Sequence, residues 1–357
     1  MSNSKRYKNN RQRYGQALAI LLLTLIAGVS LASSVDSQYS ETDPPSGTWT
    51  VTAENDRLSN TDRHYTNGIR LAWVSDITSG GPDQVRQLLD FLYPLADVSG
   101  GRIGFALGQS IFTPEDTDAT ELLVNERPYA GWLYGAVSLH AEADWTSSEG
   151  MQYTTLDSVE LNLGIVGPQS YARETQNSFH DLINVSRSNG WDNQLNNEPD
   201  IALFFERKWR PEAYRFEGGL ETDAIPHVGG SLGNVFSLLN AGLTFRVGHN
   251  LDIDFGPPQI RPAFSGPGAV SPDTDLAWYL FAASQASIVG HNIFLDGNTF
   301  RESHSVDKER FTYDFKVGAA LVLHSFRIAL TQVYRSREFK GQSDADKFGI
   351  LSLSYHY

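Results

Sequence analysis

The chain ends in FGILSLSYHY, residues 348–357. Leu351, Leu353, Tyr355 and Tyr357 alternate with Ser352, Ser354 and His356. An extended strand therefore puts the apolar side chains on one face and the small or polar ones on the other. A strand apolar towards lipid and polar towards a lumen suits the wall of a membrane barrel, and an outer-membrane barrel commonly ends in an aromatic residue.

Working back from this end, eleven more alternating runs appear, at 47–55, 66–76, 101–109, 134–145, 156–167, 200–210, 213–224, 238–248, 276–288, 310–323 and 326–336. Together they make twelve, an even number. Trp73, Trp132, Tyr134, Trp145, Trp209, Tyr214, Trp278, Tyr279 and Tyr334 fall near strand ends, where interfacial girdles sit. Tight turns at 211–212 and 324–325 alternate with long loops at 110–130, 168–199 and 289–309. A soluble sandwich or lipocalin-like barrel shares the alternation. A mean hydropathy of −0.32 and 40% hydrophobic residues fit either. The even strand count, the aromatic terminus and the loop rhythm favour the membrane. The expectation is an all-β fold: a transmembrane, antiparallel, 12-stranded outer-membrane β-barrel with a short helix in an external loop. Residues 33–357 form its single domain.

The N-terminus agrees with that destination. Lys5, Arg6, Lys8, Arg11 and Arg13 precede the apolar run ALAILLLTLIAGVSLA at 17–32. A basic region, a short apolar core and small residues before Ala32 describe a secretory signal peptide at 1–32. The run is short for a spanning helix, which needs roughly 20 residues. Its removal takes away 5 of 28 basic residues and none of the 42 acidic ones, leaving a formal charge of −19. That balance argues against a nucleic-acid partner. The absence of Cys excludes lipid acylation at Cys, disulfides and thiolate chemistry.

Two segments carry more chemistry than turns require. Between the first two strands, Glu54, Asn55, Asp56, Asp62, Arg63, His64, Tyr65, Thr66 and Asn67 crowd together. In the 168–199 loop, ARETQNSFHDLI reads as a helix with Gln176 and His180 at i and i+4, on one face. Phe179, Leu182 and Ile183 are the apolar side expected to pack on the barrel, and Trp191 is a loop-packing residue. With the N-terminus in the periplasm, strand 1 runs outward and both segments reach the external rim. There His180 suits a general base acting on water. The carboxylate and amide oxygens suit a hard cation such as calcium, which polarises an ester carbonyl.

ENDRLSNTDRHYTNG (54–68), GQSIFTPED (108–116), ERPYAGW (126–132), GIVGPQSYARETQNSFHDLI (164–183) and GWDNQLNNEP (190–199) resemble, in order, the LpxR-type outer-membrane lipid A 3'-O-deacylase family. The resemblance implies a twelve-stranded barrel whose active site lies between the wall and a loop helix at the outer leaflet. It implies calcium-dependent hydrolysis of the 3'-linked acyloxyacyl chain of lipid A by a His and a water. His180 matches the family's catalytic His and Gln176 its helix neighbour. Asn55 and Asp56 match the essential Asn-Asp pair, and Thr66 the essential Thr. The metal set expected from this is Asp56, Asn55 and Glu54. Six residues after the His, where the family carries a functional Glu, this chain has Ser186. Glu54 and Glu198 are the candidate substitutes. TPEDTDATE at 113–121 is acidic where the family places a basic residue, so Arg63 or Arg127 is expected to take over glycan-phosphate contacts. The partner implied is lipopolysaccharide in the outer leaflet. An outer-membrane phospholipase or other lipid esterase, and a non-catalytic barrel or porin, are the rival readings.

Overall fold

The computed structural model describes residues 46–55, 64–75, 100–182, 186–257 and 275–357, with the backbone alone at 64–66 and 100. The strands are β1 (Gly47–Asn55), β2 (His64–Ser75), β3 (Gly100–Thr113), β4 (Ala130–Thr146), β5 (Gln152–Val166), β6 (Glu198–Pro211) and β7 (Tyr214–Arg215). They continue as β8 (Glu221–Gly233), β9 (Phe236–His249), β10 (Leu276–Asn292), β11 (Phe311–Leu323), β12 (Phe326–Arg335) and β13 (Asp346–His356). All pairings are antiparallel; β1 pairs with β13, and β6 with β8. The sheet therefore closes on itself through twelve strands, while β7 is a two-residue addition to β8. Closure gives each strand of the ring a neighbour on either side.

The seam shows why these sequences pair. Thr50 and Ser354 hydroxyls meet at 2.9 Å, and those of Thr52 and Ser352 at 3.4 Å, on the lumen side. On the other side Leu353 and Tyr355 are 48% and 43% exposed, so the alternation of the C-terminal strand is the inside-outside alternation of the wall. The same outer band carries Ile69, Leu107, Leu163, Leu239, Leu280 and Leu330, all exposed. Leu330 lies mid-strand in β12. Leu330→Arg should lower stability in lipid vesicles by about 2–4 kcal/mol, because a charge at the bilayer midplane is costly. Urea titration of the vesicle-inserted protein reads this, and an unchanged midpoint would refute the lipid-facing placement.

The lumen is filled, by ion pairs and by an apolar cluster that includes Trp132, Phe236 and Phe294. Arg70 reaches Glu160 at 2.8 Å across two intervening strands, and Arg335 forks onto Asp314 with both bonds at 2.9 Å. After β9 the chain folds back into the barrel. Asp254 there accepts from Arg246 at 2.6 Å and Tyr279 at 3.0 Å, with Arg327 also 3.0 Å away. Arg327 also donates to the Gly256 carbonyl at 2.8 Å.

Several expectations change. Trp132, Tyr134 and Tyr279 belong to no girdle: each is 1% exposed and points inward, where a twelve-stranded lumen leaves room for large rings. The strand expected at 213–224 is shifted. Gly218 and Gly219, at φ 102° and 85°, turn the chain there, and β8 instead runs on through Pro226 and the glycines at 229, 230 and 233. Pro226 fits because the β6 pairing stops at His227. Consequently 211–212 is not a tight turn; the tight one is at 234–235, at the opposite end. Long connections also occur at the end that carries the termini, at 76–99 and 250–275. At the loop end, α2 (Ile293–Asp296) caps the lumen, with Phe294 stacked 3.9 Å from Phe112. Partial burial pushes the Asp296 carboxyl up, but hydrogen bonds from His291, Lys308 and the Asn292 amide hold it at about 2.

Candidate active site

The loop helix is α1 (Ala172–Leu182), and the residues beneath it show which side of the wall it covers. Along β3 the odd-numbered Phe105 and Leu107 are exposed on the outer face. Gln109, next on that face, donates to the Ser170 carbonyl at 2.6 Å. Ile111 follows and is buried at 1% by Tyr129, Ala172 and Trp191. A Cβ at Gly131 would lie 2.1 Å from Ser170 Oγ and 2.2 Å from the Ala172 Cβ. Glycine in ERPYAGW is thus what lets the helix start sit against β4. The helix lies outside the barrel, on the lipid-facing side of the wall.

The strand ladders bring the first cluster to the same place. Asn55 pairs with Asn67, Asn67 with Ile111, and Ile111 with Gly131. Asn55 continues the outer-facing set of Val51 and Ala53, so Asn55, Asn67, Ile111 and Gly131 form one row across four strands on one face. Asn55 therefore stands about 10 Å, two strand spacings, from the Ile111 that the helix covers. Thr66 is the extra residue of a bulge in β2, between Tyr65 and Asn67. Bulges of this kind re-aim side chains beside active sites. Asp56 and Arg63 lie outside the described residues, and of Thr66 only the backbone is described.

Gln176 and His180 share the buried face of α1 with Ala172, each 2% exposed. The apolar side expected to pack on the barrel does not: Phe179 and Leu182 are 36% and 72% exposed, and Ile183 lies outside the described residues. The polar stripe can turn inward because it finds partners. Trp191, fully buried, donates its indole N–H to Gln176 Oε1 at 2.9 Å. His180 Nδ1 lies 2.6 Å from the Ser186 carbonyl oxygen. A carbonyl only accepts, so Nδ1 carries the hydrogen, and in the neutral ring Nε2 keeps its lone pair.

Ser186 thus acts through its backbone, while its side chain is exposed. Ser186→Ala should leave the activity proposed below within about twofold, since the variant retains the carbonyl. A tenfold loss in kcat would show that the hydroxyl contributes.

One member of the expected metal set falls outside it. Glu54 points into the lumen, 1% exposed, where its charge acts on Arg70, Lys316 and Arg335. Strand alternation puts it on the face opposite Asn55, so the two cannot share an ion. Glu198 does not substitute either. It accepts from the amides of Asn234 and Asn298 and the backbone N–H of Thr299 and Phe300, at 3.1–3.2 Å, tying two loops to β6. Among the described residues no group of three or more His, Asp or Glu side chains could hold a metal. Asn55, with Asp56 beside it in sequence, is what remains of the expected donors. Arg127 is also excluded from glycan contacts. It is buried over the Phe112 ring at 5.0 Å and bonded to Glu338 at 3.3 Å.

Comparison with known proteins agrees with this architecture. The fold resembles LpxR from Salmonella typhimurium with a TM-score of 0.67 at 19% sequence identity, over 87% of this chain and 100% of that one. The β domain of the Bordetella autotransporter BrkA follows at TM-score 0.41 and 8% identity, over 88% and 100% of the two chains. The translocator domain of NalP from Neisseria meningitidis gives 0.37 and 10%, over 96% of each. No curated protein matches in sequence. Residues 18–357 match the family described as outer membrane protein LpxR: this chain belongs to the LpxR family of outer-membrane proteins.

Proposed function

We propose that the protein is an outer-membrane hydrolase that removes the 3'-O-linked acyloxyacyl chain of lipid A, taking lipopolysaccharide from the outer leaflet. The observation that carries this reading is the seat of His180 and Gln176. They lie on the buried face of α1, which is set against the outer side of the wall, the side that faces lipid. Membership of the LpxR family supports the same reading.

The chemistry follows from the tautomer. With Nδ1–H held by the Ser186 carbonyl, His180 Nε2 removes a proton from water as the water oxygen attacks the ester carbonyl carbon. The tetrahedral oxyanion collapses by breaking the bond to the sugar 3'-oxygen. The imidazolium returns its proton to that oxygen, giving a 3'-hydroxyl and a free carboxylic acid. Calcium held at Asn55 and Asp56 would supply positive charge to polarise the carbonyl; no step above depends on where it sits.

A passive porin is disfavoured by the lumen, which is crossed by the Arg70–Glu160 pair and the inward-folded segment around Asp254. The test is hydrolysis by purified protein in mixed micelles of lipid A or of glycerophospholipid, with and without a calcium chelator. Release of acyloxyacyl acid from lipid A alone is expected, reduced by the chelator. Release from glycerophospholipid at an equal or higher rate would move the assignment to a phospholipase.

A further inference from the structure

We propose that Trp191 is a positioning residue that turns the Gln176 amide, so that its NH2 group faces the ester oxygen on which negative charge develops. This rests on the ester-hydrolysis reading above. An indole N–H can only donate, and the Trp191 Nε1 atom lies 2.9 Å from Gln176 Oε1. The contact therefore settles which end of the amide is which. The oxygen is held by Trp191, and the planar NH2 group is sent the other way. There Gln176 Nε2 is buried and has no hydrogen-bond partner. Buried donors without partners are rare and costly, and one beside a general base marks the place of a ligand's acceptor oxygen.

The surroundings make the orientation durable. The Trp191 ring is 0% exposed and packs with Ile111, Tyr129 and Ala172, its centroid 5.0 Å from that of Tyr129. The indole thus cannot swing away without emptying the cluster that seats the helix. Gln176 and His180 are one helical turn apart on the same face, so an oxygen bonded to Gln176 Nε2 belongs to a group that His180 can also reach. An ester carbonyl attacked by a water on His180 meets both conditions. Removing the indole N–H frees the amide to rotate and present its oxygen, which repels the oxyanion.

Trp191→Phe keeps an aromatic ring in the cluster and deletes the donor together with the second ring of the indole. We expect kcat on lipid A to fall on the order of tenfold to a hundredfold. KM should stay within about twofold and the pH profile, set by His180, should not move. Gln176→Glu guards against a folding defect in the Trp variant: it can still accept from the indole, has no NH2, and should lose kcat at least as strongly. In a Gln176→Ala background, Trp191→Phe should cost nothing more, since its effect acts through the amide. A wild-type kcat in Trp191→Phe or Gln176→Glu, a loss confined to KM, or multiplying losses in the double variant would each overturn the proposal and leave the hydrolase reading intact. Wild-type protein inactive on every ester lipid would instead defeat the hydrolase reading. The amide orientation would then be read from the Gln176 side-chain NH2 resonances on adding lipid A. A shift in wild type but not in Trp191→Phe supports the orientation, and no shift in either ends it.

Discussion

His180→Gln should lower kcat for the proposed lipid A deacylation by ~10²–10⁴-fold, the range expected when a positioned general base is lost. Gln fills much of the ring's volume, while the ring nitrogen that takes the proton disappears. KM should change little, because the interaction removed is the one made to the attacking water in the transition state. The acidic limb of the pH–kcat profile should vanish with the imidazole. Initial rates on micellar lipid A from pH 5 to 9 give both numbers. A variant within tenfold of wild type, with its acidic limb intact, would remove His180 from the proton transfer.

Arg246→Met destabilises the barrel by about 3–5 kcal/mol, the cost of breaking a buried ion pair from one side. Arg246 is 0% exposed and forks onto Asp223, with Nε at 2.9 Å from Oδ1 and Nη2 at 2.5 Å from Oδ2. It also donates to the Asp254 carboxylate at 2.6 Å and the Leu251 carbonyl at 2.7 Å. The methionine fills much of the volume but leaves the Asp223 carboxylate in the lumen without this counter-charge. Asp254 keeps Arg327, so most of the loss belongs to Asp223. Asp223→Leu added to Arg246→Met should therefore recover a large part of it. Urea unfolding in vesicles measures both, and a single variant within 1 kcal/mol of wild type would mean that water enters this part of the lumen.

Much of the wall was legible because its pattern is local. LSLSYHY and GTWTVT each show the period-two alternation that a barrel wall demands, and their Thr and Ser faces do meet across the closing seam. The spacing of Gln176 and His180 likewise placed them on one helix face. What stayed hidden depends on partners remote in sequence. Whether Trp132 or Tyr279 faces lipid or lumen follows from strand phase and from space made by other strands, not from ring chemistry. The apolar edge of α1 was expected inward, yet the wall offers Gly131 and Ile111, and Trp191 and Ser186 satisfy the polar stripe. The Ser186 contribution is a backbone carbonyl, which every residue has, so no residue type could announce it. Glu198 reads as a spare carboxylate until the backbone amides of residues 299 and 300 are seen to close on it.

Cleavage of a 3'-linked ester of lipid A from the membrane side of the barrel wall is the activity proposed for this chain. Mass spectrometry of lipid A, from Gram-negative cells producing the wild-type chain and from matched cells producing His180→Gln, tests it most directly. Loss of one 3'-acyloxyacyl unit with wild type, and unmodified lipid A with the variant at equal outer-membrane abundance, is the predicted result. Lipid A of unchanged mass in wild-type cells whose outer membranes contain the folded barrel and calcium would contradict it.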